Sequence, residues 1–252
     1  MTLSDDQLDR YARHIILKEV GGAGQQALLD ARVAVIGAGG IGSPVIQYLA
    51  AAGVGRLTVI DDDKVALSNL QRQVLFTTAD VGAPKVDAAA AAVARLNPDV
   101  MVMPVESRID AANAEAMLVG HDVVVDGCDN FATRLVVADA ALALHIPLVS
   151  AAVGQFEGQI ATFRGWEKDK PCYRCFVGHD PAREEQSCAE QGVIGALTGV
   201  IGTWAALEAI RIITGFGEDS AGRLALFDAI GFRVRTLTLP ADPSCPACGE
   251  GK

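Results

Sequence analysis

Three glycines, Gly37, Gly39 and Gly42, have the spacing with which a main chain approaches a phosphate group. They match the pattern GxGxxG between the apolar run RVAVI and an apolar helical pattern. The first glycine permits a tight turn, the second lets the main chain reach phosphate, and the third lets the helix pack closely on the strand. Gly40 removes a further side chain beside the anion. Asp61 follows 19 residues after Gly42, where a carboxylate accepts hydrogen bonds from ribose hydroxyls. The stretch predicts a nucleotide site; the alternative is a packing turn beside a solvated acidic loop.

Two cations bear on which nucleotide is bound. Arg72 lies in SNLQRQ and Lys85 in GAPK, shortly after the ribose-binding strand, with the polar Asn69 and Gln71 nearby. A dinucleotide's pyrophosphate needs little charge beyond main-chain N–H groups, whereas a triphosphate cleaved at its α-phosphorus needs cations around the developing charge. Each cation alone is typical of a solvated surface. Together with the glycines and Asp61 they favour ATP, and an NAD-dependent oxidoreductase is kept as the alternative from another class.

A second acidic cluster, DGCDN at residues 126–130, follows another apolar run. The carboxyl ends of strands at the switch point of a doubly wound sheet face the ligand crevice. Asp129 is therefore a candidate Mg²⁺ ligand, since Mg²⁺ favours one or two carboxylates plus substrate phosphates. The alternative is that Asp129 is the N-cap of the following helix.

Four cysteines form two CxxC pairs at zinc-ligand spacing: Cys172, Cys175, Cys245 and Cys248. Four thiolates complete a closed tetrahedral site, so we expect structural Zn²⁺; the alternative is a pair of redox dithiols. Cys128 is expected to fill the core. Cys188 lies in the polar segment HDPAREEQSCAEQG, which is a suitable place for an exposed nucleophile. Its acidic neighbours would raise the pKa of the thiol and weaken it, so an inert exposed thiol is the alternative.

The surrounding pattern alternates strands with helices. After an N-terminal helix that is capped by Ser4, runs through Ile16 and is stopped by Gly21, we expect a short helix near 25–29 and then the βαβ unit. Further strands are expected at 100–105, 122–126 and 147–150, and helices at 84–96, 111–119 and 132–144. Beyond residue 151, GQIATF, RLALF and RVRTLTL alternate apolar and polar residues. The prediction is an α/β, Rossmann-like, doubly wound and mostly parallel sheet that finishes with antiparallel strands and a zinc-clipped C-terminal segment.

Composition limits the partners. The chain has 252 residues, half of them hydrophobic, and a formal net charge of −10, which excludes a nucleic-acid backbone or an anionic membrane as the main ligand. The N-terminus lacks a basic segment followed by an apolar core, and the apolar run from Val193 to Leu207 is too short to span a bilayer. We therefore expect a cytoplasmic protein with reduced cysteines.

Eight motifs together resemble a known family. RYARHI, GAGGIG, VIDDD, SNLQRQ, GAPK, DGCDN, PCYRC and CPAC occur in the order found in the ubiquitin-activating-enzyme superfamily. The chain is most similar to its bacterial MoeB/ThiF (HesA) branch of sulfur-carrier adenylyltransferases, nearest to members that act on the small subunit of molybdopterin synthase. The resemblance implies one adenylation domain over residues 1–252, with a helical arm (1–30), a nucleotide-binding part (31–150) and a zinc-bound, carrier-docking part (151–252).

The resemblance also implies a reaction and its residues. ATP would adenylate the C-terminal Gly-Gly carboxylate of a ubiquitin-like carrier, and a separate rhodanese or cysteine-desulfurase donor would supply sulfur, because the chain ends directly after the second cysteine pair. Arg72 and Lys85 would neutralise phosphate charge, and Arg13 would reach into the partner subunit's site of a homodimer. The alternative within the family is a thiazole-pathway carrier with Cys188 as covalent acceptor. The implied nucleotide contacts also include Ser68, Asn69, Leu70, Gln71, Asn130 and, through Mg²⁺, Asp129.

Overall fold

The computed structural model describes residues 3–178 and 192–249. Their strands form one eight-stranded sheet in the order β3-β2-β1-β4-β5-β6-β7-β8. The strands are β1 (Arg32–Ile36), β2 (Arg56–Ile60), β3 (Met101–Val105), β4 (Val123–Asp126), β5 (Leu148–Val153), β6 (Glu157–Phe163), β7 (Arg223–Asp228) and β8 (Arg233–Thr238). The first five are parallel and the last three join antiparallel. This confirms the predicted sheet.

Helices cover both faces of the parallel half. One core cluster packs three helices against the sheet: α4 (Gly42–Ala52), α5 (Lys85–Leu96) and α9 (Gly195–Thr214). The opposite cluster is built on α6 (Ala114–Leu118), α7 (Phe131–Ala143) and α8 (Tyr173–Val177). Because both faces are buried, β1, β2 and β4 are nearly continuous apolar runs rather than alternating ones.

The N-terminal arm differs from the prediction of one helix. It consists of α1 (Asp5–Arg10), α2 (Ala12–Ile15) and α3 (Gly21–Asp30). The break falls at Tyr11, whose buried ring places its hydroxyl 2.8 Å from the Asn97 amide nitrogen, which donates to it. Gly21 has a left-handed backbone (φ 59°), so it turns the chain and begins the next helix at once. Helix α3 is therefore longer than the helix predicted at 25–29.

The apolar run from Val193 to Leu207 was expected to be too short to span a bilayer, but the helix that contains most of it, α9, continues past Glu208 to Thr214. By length and composition alone this 20-residue helix could cross a membrane. It packs in the core instead, against α4, β5 and β6. Glu208, the residue that interrupts the apolar run, is buried, and its carboxylate accepts hydrogen bonds from the Ser220 and Thr162 hydroxyls. Its polar group is therefore hydrogen-bonded inside the fold.

Candidate active site

A cavity of about 560 Å³ opens at the carboxyl ends of the parallel strands. It lies between the neighbouring strands β1 and β4, the switch point of the strand order. Its walls come from the β1–α4 turn, the segment after β2, the end of β3, the β4–α7 loop and the start of α9. The polar and charged lining residues are Asp61, Asp62, Asp63, Asn69, Arg72, Gln73, Lys85, Ser107, Arg108, Asp129, Asn130, Thr133, Arg134 and Thr198.

The glycine turn has the geometry that its spacing predicts. Gly37 has φ 84°, which a side chain disfavours, and a Cβ on Gly42 would lie 1.8 Å from the Gly37 carbonyl oxygen. At Gly39 a Cβ would meet only the Gln73 amide nitrogen, at 3.9 Å, and at Gly40 it would press on Thr198. Gly37 thus serves the tight turn and Gly42 the close packing, whereas Gly39 leaves the main chain open towards the cavity.

Asp61 lies at the end of β2 and joins the two sides of the site. Its carboxylate accepts hydrogen bonds from the N–H groups of Ala38 at 2.7 Å and Asp63 at 2.8 Å. Burial raises the pKa of Asp61 although the Lys85 ammonium lies 3.8 Å away and opposes the shift. Lys85 is itself buried and donates to Asp63 at 2.7 Å. Lys85 therefore both pairs with the acidic segment and lines the cavity.

Arg72 and its neighbours follow a short 3-10 turn (Leu67–Asn69). Arg72 lines the cavity and donates to the Ser68 carbonyl oxygen at 3.3 Å. Asn69 also lines it, whereas the implied contacts Ser68, Leu70 and Gln71 lie off the cavity wall. Sequence reasoning missed Gln73, which is 3 % exposed, lines the cavity and has no hydrogen-bond partner for its buried carbonyl oxygen among the described residues. Only its place in the SNLQRQ motif could have indicated it.

The β4–α7 loop brings Asp129 and Asn130 to the opposite wall. Asp129 is exposed. The N-cap alternative for Asp129 is wrong, because Asn130 caps α7 by accepting the Thr133 N–H at 2.8 Å. Asp129 is thus available to the cavity rather than to the helix.

Four sulfur atoms meet at the start of α8, where Cys172 is the N-cap and Cys175 lies within the helix. The Sγ of Cys172 lies 3.8 Å from that of Cys175 and 3.6 Å from that of Cys245, and the Sγ atoms of Cys175 and Cys248 are 3.4 Å apart. Tetrahedral zinc with Zn–S bonds of about 2.3 Å separates its sulfurs by about 3.8 Å, so the cluster fits that ion. Burial raises the pKa of the Cys172 thiol, and raises that of Cys248 to about 11, an effect that a bound cation reverses.

Comparison with known proteins identifies the fold and its relatives. The ThiF family model matches residues 11–247. The chain belongs to the ThiF family. It is 50 % identical to the SAMP-activating enzyme E1 of Haloferax volcanii (100 % of this chain, 93 % of the relative). Identity is 47 % to the sulfur carrier protein adenylyltransferase of Thermus thermophilus (99 % and 94 %) and 42 % to the molybdopterin-synthase adenylyltransferase of Escherichia coli (98 % and 99 %).

Solved structures agree on the fold of this ThiF-family chain. The crystal structure of E. coli MccB with MccA-N7isoASN superposes with a TM-score of 0.84 at 23 % identity, over 95 % of this chain and 75 % of that one. At that identity the likeness concerns the fold alone. The MoeB/ThiF resemblance read from the motifs is confirmed by the family match and the full-length relatives.

Arg13 is not brought to the cavity of its own chain in this ThiF-family protein. It lies on α2 and is exposed. Cys188 lies outside the described residues, so its role stays a prediction.

Proposed function

We propose that this chain uses ATP to adenylate the C-terminal glycine carboxylate of a ubiquitin-like sulfur-carrier protein. The observation that carries the proposal is the convergence on one cavity of the glycine turn, Asp61, Arg72, Lys85 and Asp129. The full-length relatives named as sulfur-carrier and molybdopterin-synthase adenylyltransferases support it. They do not support the oxidoreductase alternative or the thiazole-pathway alternative.

Each side chain then has a role. Asp61 accepts the ribose hydroxyls, and the Gly39–Gly40 main chain approaches the phosphates, flanked by the segment from Ser68 to Arg72. Arg72 and Lys85 neutralise the charge that develops as pyrophosphate leaves. Asp129 fits Mg²⁺, because a single exposed carboxylate on the cavity wall can share the ion with substrate phosphates. When bound, Mg²⁺ would neutralise phosphate oxygens.

The chemistry needs no general base from the chain. The attacking group is the carrier's terminal carboxylate, which is already ionised at neutral pH. One of its oxygens forms a bond to the α-phosphorus of ATP while the bond from that phosphorus to the bridging oxygen of pyrophosphate breaks. The products are the carrier acyl-adenylate and pyrophosphate. The acyl-adenylate carries a leaving group that sulfur from a separate donor, of rhodanese or cysteine-desulfurase type, can displace. The small subunit of molybdopterin synthase is the first carrier to test. The reaction would take place in the cytoplasm.

The β7–β8 end of the sheet suits the carrier. Within residues 3–178 and 192–249, β8 pairs with β7 alone, so its outer edge offers unpaired main-chain groups. The adjoining turn exposes Ile230 and Phe232, the latter 93 % exposed. The β5–β6 turn lies between this end and the cavity, because its Phe156 carbonyl oxygen accepts the Ala229 N–H at 2.9 Å and Val153, at the end of β5, lines the cavity. A carrier seated here would have its flexible tail directed inwards.

A second copy of the chain would complete the site. Arg13 lies among exposed apolar side chains of the arm, Ile16 and Leu17. Val200 and Leu207 form an exposed apolar stripe on α9 at helical spacing. Such exposed apolar surface fits burial in a homodimer in which Arg13 enters the partner subunit's cavity. The four-cysteine cluster would hold structural Zn²⁺ and tie the C-terminal segment to α8.

ATP–pyrophosphate exchange tests the function. Each candidate carrier with a Gly-Gly terminus is added to wild-type protein, and the incorporation of labelled pyrophosphate into ATP is measured. We expect the correct carrier to stimulate exchange and Arg72→Ala to reduce it at least about 100-fold, since one lost donor to transition-state charge costs roughly that much. A carrier shortened by its last glycine is the matched control. The proposal fails if no carrier with a Gly-Gly terminus stimulates exchange.

A further inference from the structure

Arg134 lies where strands β4 and β5 separate. The two strands pair in register up to Asp126 and Ser150, after which β4 ends and β5 continues against β6. Main-chain carbonyls beyond the last pair need other donors. Nη2 of Arg134 donates to the Cys128 carbonyl oxygen and, at 2.7 Å, to that of Ala151. The side chain therefore supplies hydrogen bonds that the β4–β5 pairing no longer makes, at the point where the crevice opens.

The other terminal nitrogen of Arg134 fixes the remaining side of this junction. Nη1 lies 3.2 Å from a carboxylate oxygen of Asp126 and 3.2 Å from the Ser150 hydroxyl oxygen. Arg134 is 7 % exposed. One planar guanidinium thus joins the end of β4, the following loop and β5, a geometry that the single ammonium of lysine cannot reproduce.

The loop that carries Asp129 is held on both sides of that residue. Before it, the Cys128 N–H donates to Asp126 at 3.1 Å and the Cys128 carbonyl accepts from Arg134. After it, Asn130 is fixed as the N-cap of α7. Asp129 itself is exposed on the cavity wall. The position of its backbone, from which the carboxylate extends, is therefore set by contacts of its two neighbours, and Arg134 supplies the central one.

We propose that Arg134 is a positioning residue that aims the Asp129 carboxylate at the cation and phosphates of the bound nucleotide. The inference rests on the proposed function, in which Asp129 shares Mg²⁺ with ATP. A merely structural ion pair between Arg134 and Asp126 would affect stability and would leave the contribution of Mg²⁺ to nucleotide binding unchanged. The two cases therefore differ in a binding measurement.

The test is the affinity for ATP with and without Mg²⁺, measured by isothermal titration on wild type and Arg134→Lys. We expect Mg²⁺-free affinity to stay within about twofold and the gain on adding Mg²⁺ to fall at least about tenfold, because supporting contacts of metal ligands have effects of that size. In Asp129→Asn the gain is lost. We expect the double variant Arg134→Lys/Asp129→Asn to match Asp129→Asn alone, since both act through one carboxylate.

Asp139→Asn is the matched control. Asp139 lies on the same helix but does not line the cavity, and its carboxylate accepts hydrogen bonds from Arg174 Nε at 2.7 Å and from Arg174 Nη2 at 2.6 Å. The substitution removes the charge of this ion pair and should leave the Mg²⁺ gain unchanged. If Arg134→Lys does not fold, Asp126→Asn removes one partner of the guanidinium and should also reduce the gain. An unchanged gain, or a double variant whose losses add, overturns the inference alone. A folded wild type that binds no ATP overturns both this inference and the proposed function.

Discussion

At the scale of single residues, Asp61 shows how the site holds a charge ready for the ribose. Two main-chain N–H groups and Lys85 favour its ionised form, yet burial outweighs them and raises its pKa. In the folded protein this carboxyl therefore protonates at a higher pH than in the unfolded chain. Its contribution to stability is fully present below the unfolded value and is lost as the pH rises through the folded one. The ionised Asp61 thus works against the unliganded fold at neutral pH and in favour of the ligand.

This sign predicts a pH dependence of nucleotide binding. We expect wild-type affinity for AMP to weaken as the pH falls from 7 towards 4, because burial raises the pKa of Asp61 above its usual value and a protonated acid accepts ribose hydroxyls poorly. Asp61→Asn keeps the shape without the titration, so its weaker affinity should change less over the same range. Fluorescence titration at each pH measures both proteins, and the shared titration of the AMP phosphate cancels in their ratio. A ratio that is constant from pH 7 to 4 contradicts the assignment.

At the scale of elements, the β1–α4 turn separates what glycine does for folding from what it does for the ligand. A Cβ at position 42 would collide with the Gly37 carbonyl oxygen at 1.8 Å, whereas a Cβ at position 39 would meet nothing closer than 3.9 Å. The same chemical change at two glycines three residues apart should therefore have opposite consequences.

We expect Gly42→Ala to destabilise the protein by at least about 2 kcal/mol, because the helix must move off the strand. Gly39→Ala should leave the thermal midpoint within about 2 °C of wild type and weaken ATP binding at least about tenfold, since its methyl group occupies the approach of the phosphate. Thermal unfolding and equilibrium dialysis with ATP measure the two effects. Should Gly39→Ala bind ATP like wild type, the main chain there is not the phosphate contact.

Some features of these elements could be predicted from the sequence and others could not. The glycine turn, Asp61 and the two cysteine pairs were predictable because their geometry is set by a few neighbouring residues or by a fixed ligand spacing. The break at Tyr11 was not, since it depends on Asn97, 86 residues away. Gln73 and Arg134 escaped for a similar reason: the burial of both, and the hydrogen-bond partners of Arg134, depend on elements that only the folded sheet brings together. Periodicity likewise could not predict that Glu208 of α9 would be buried, with its carboxylate hydrogen-bonded to Thr162 of β6.

At the scale of the whole molecule, the proposed homodimer would add one cation to the site. The cavity contains Arg72 and Lys85, but Arg13, the third cation implied by the family resemblance, lies exposed on the N-terminal arm. The arm is anchored by Tyr11, by Asn97 and by Gln25, whose amide donates to the Ala52 carbonyl oxygen at 2.9 Å. A fixed arm that presents an arginine beside exposed apolar residues suits an exchange of residues between two copies.

Subunit complementation tests that exchange. Arg13→Ala and Arg72→Ala should each be nearly inactive in carrier-dependent pyrophosphate exchange, because each homodimer lacks one cation at both sites. In a mixed dimer, one site combines the intact Arg72 of the first subunit with the intact Arg13 of the second, while the other site lacks both. Random re-pairing of equal amounts should therefore restore about a quarter of wild-type activity, since half of the dimers are mixed and each has one complete site. Co-expression with two different affinity tags allows the mixed dimer to be isolated, and it should have about half of wild-type activity per dimer. Mixed dimers as inactive as the parents would place Arg13 outside the partner subunit's site.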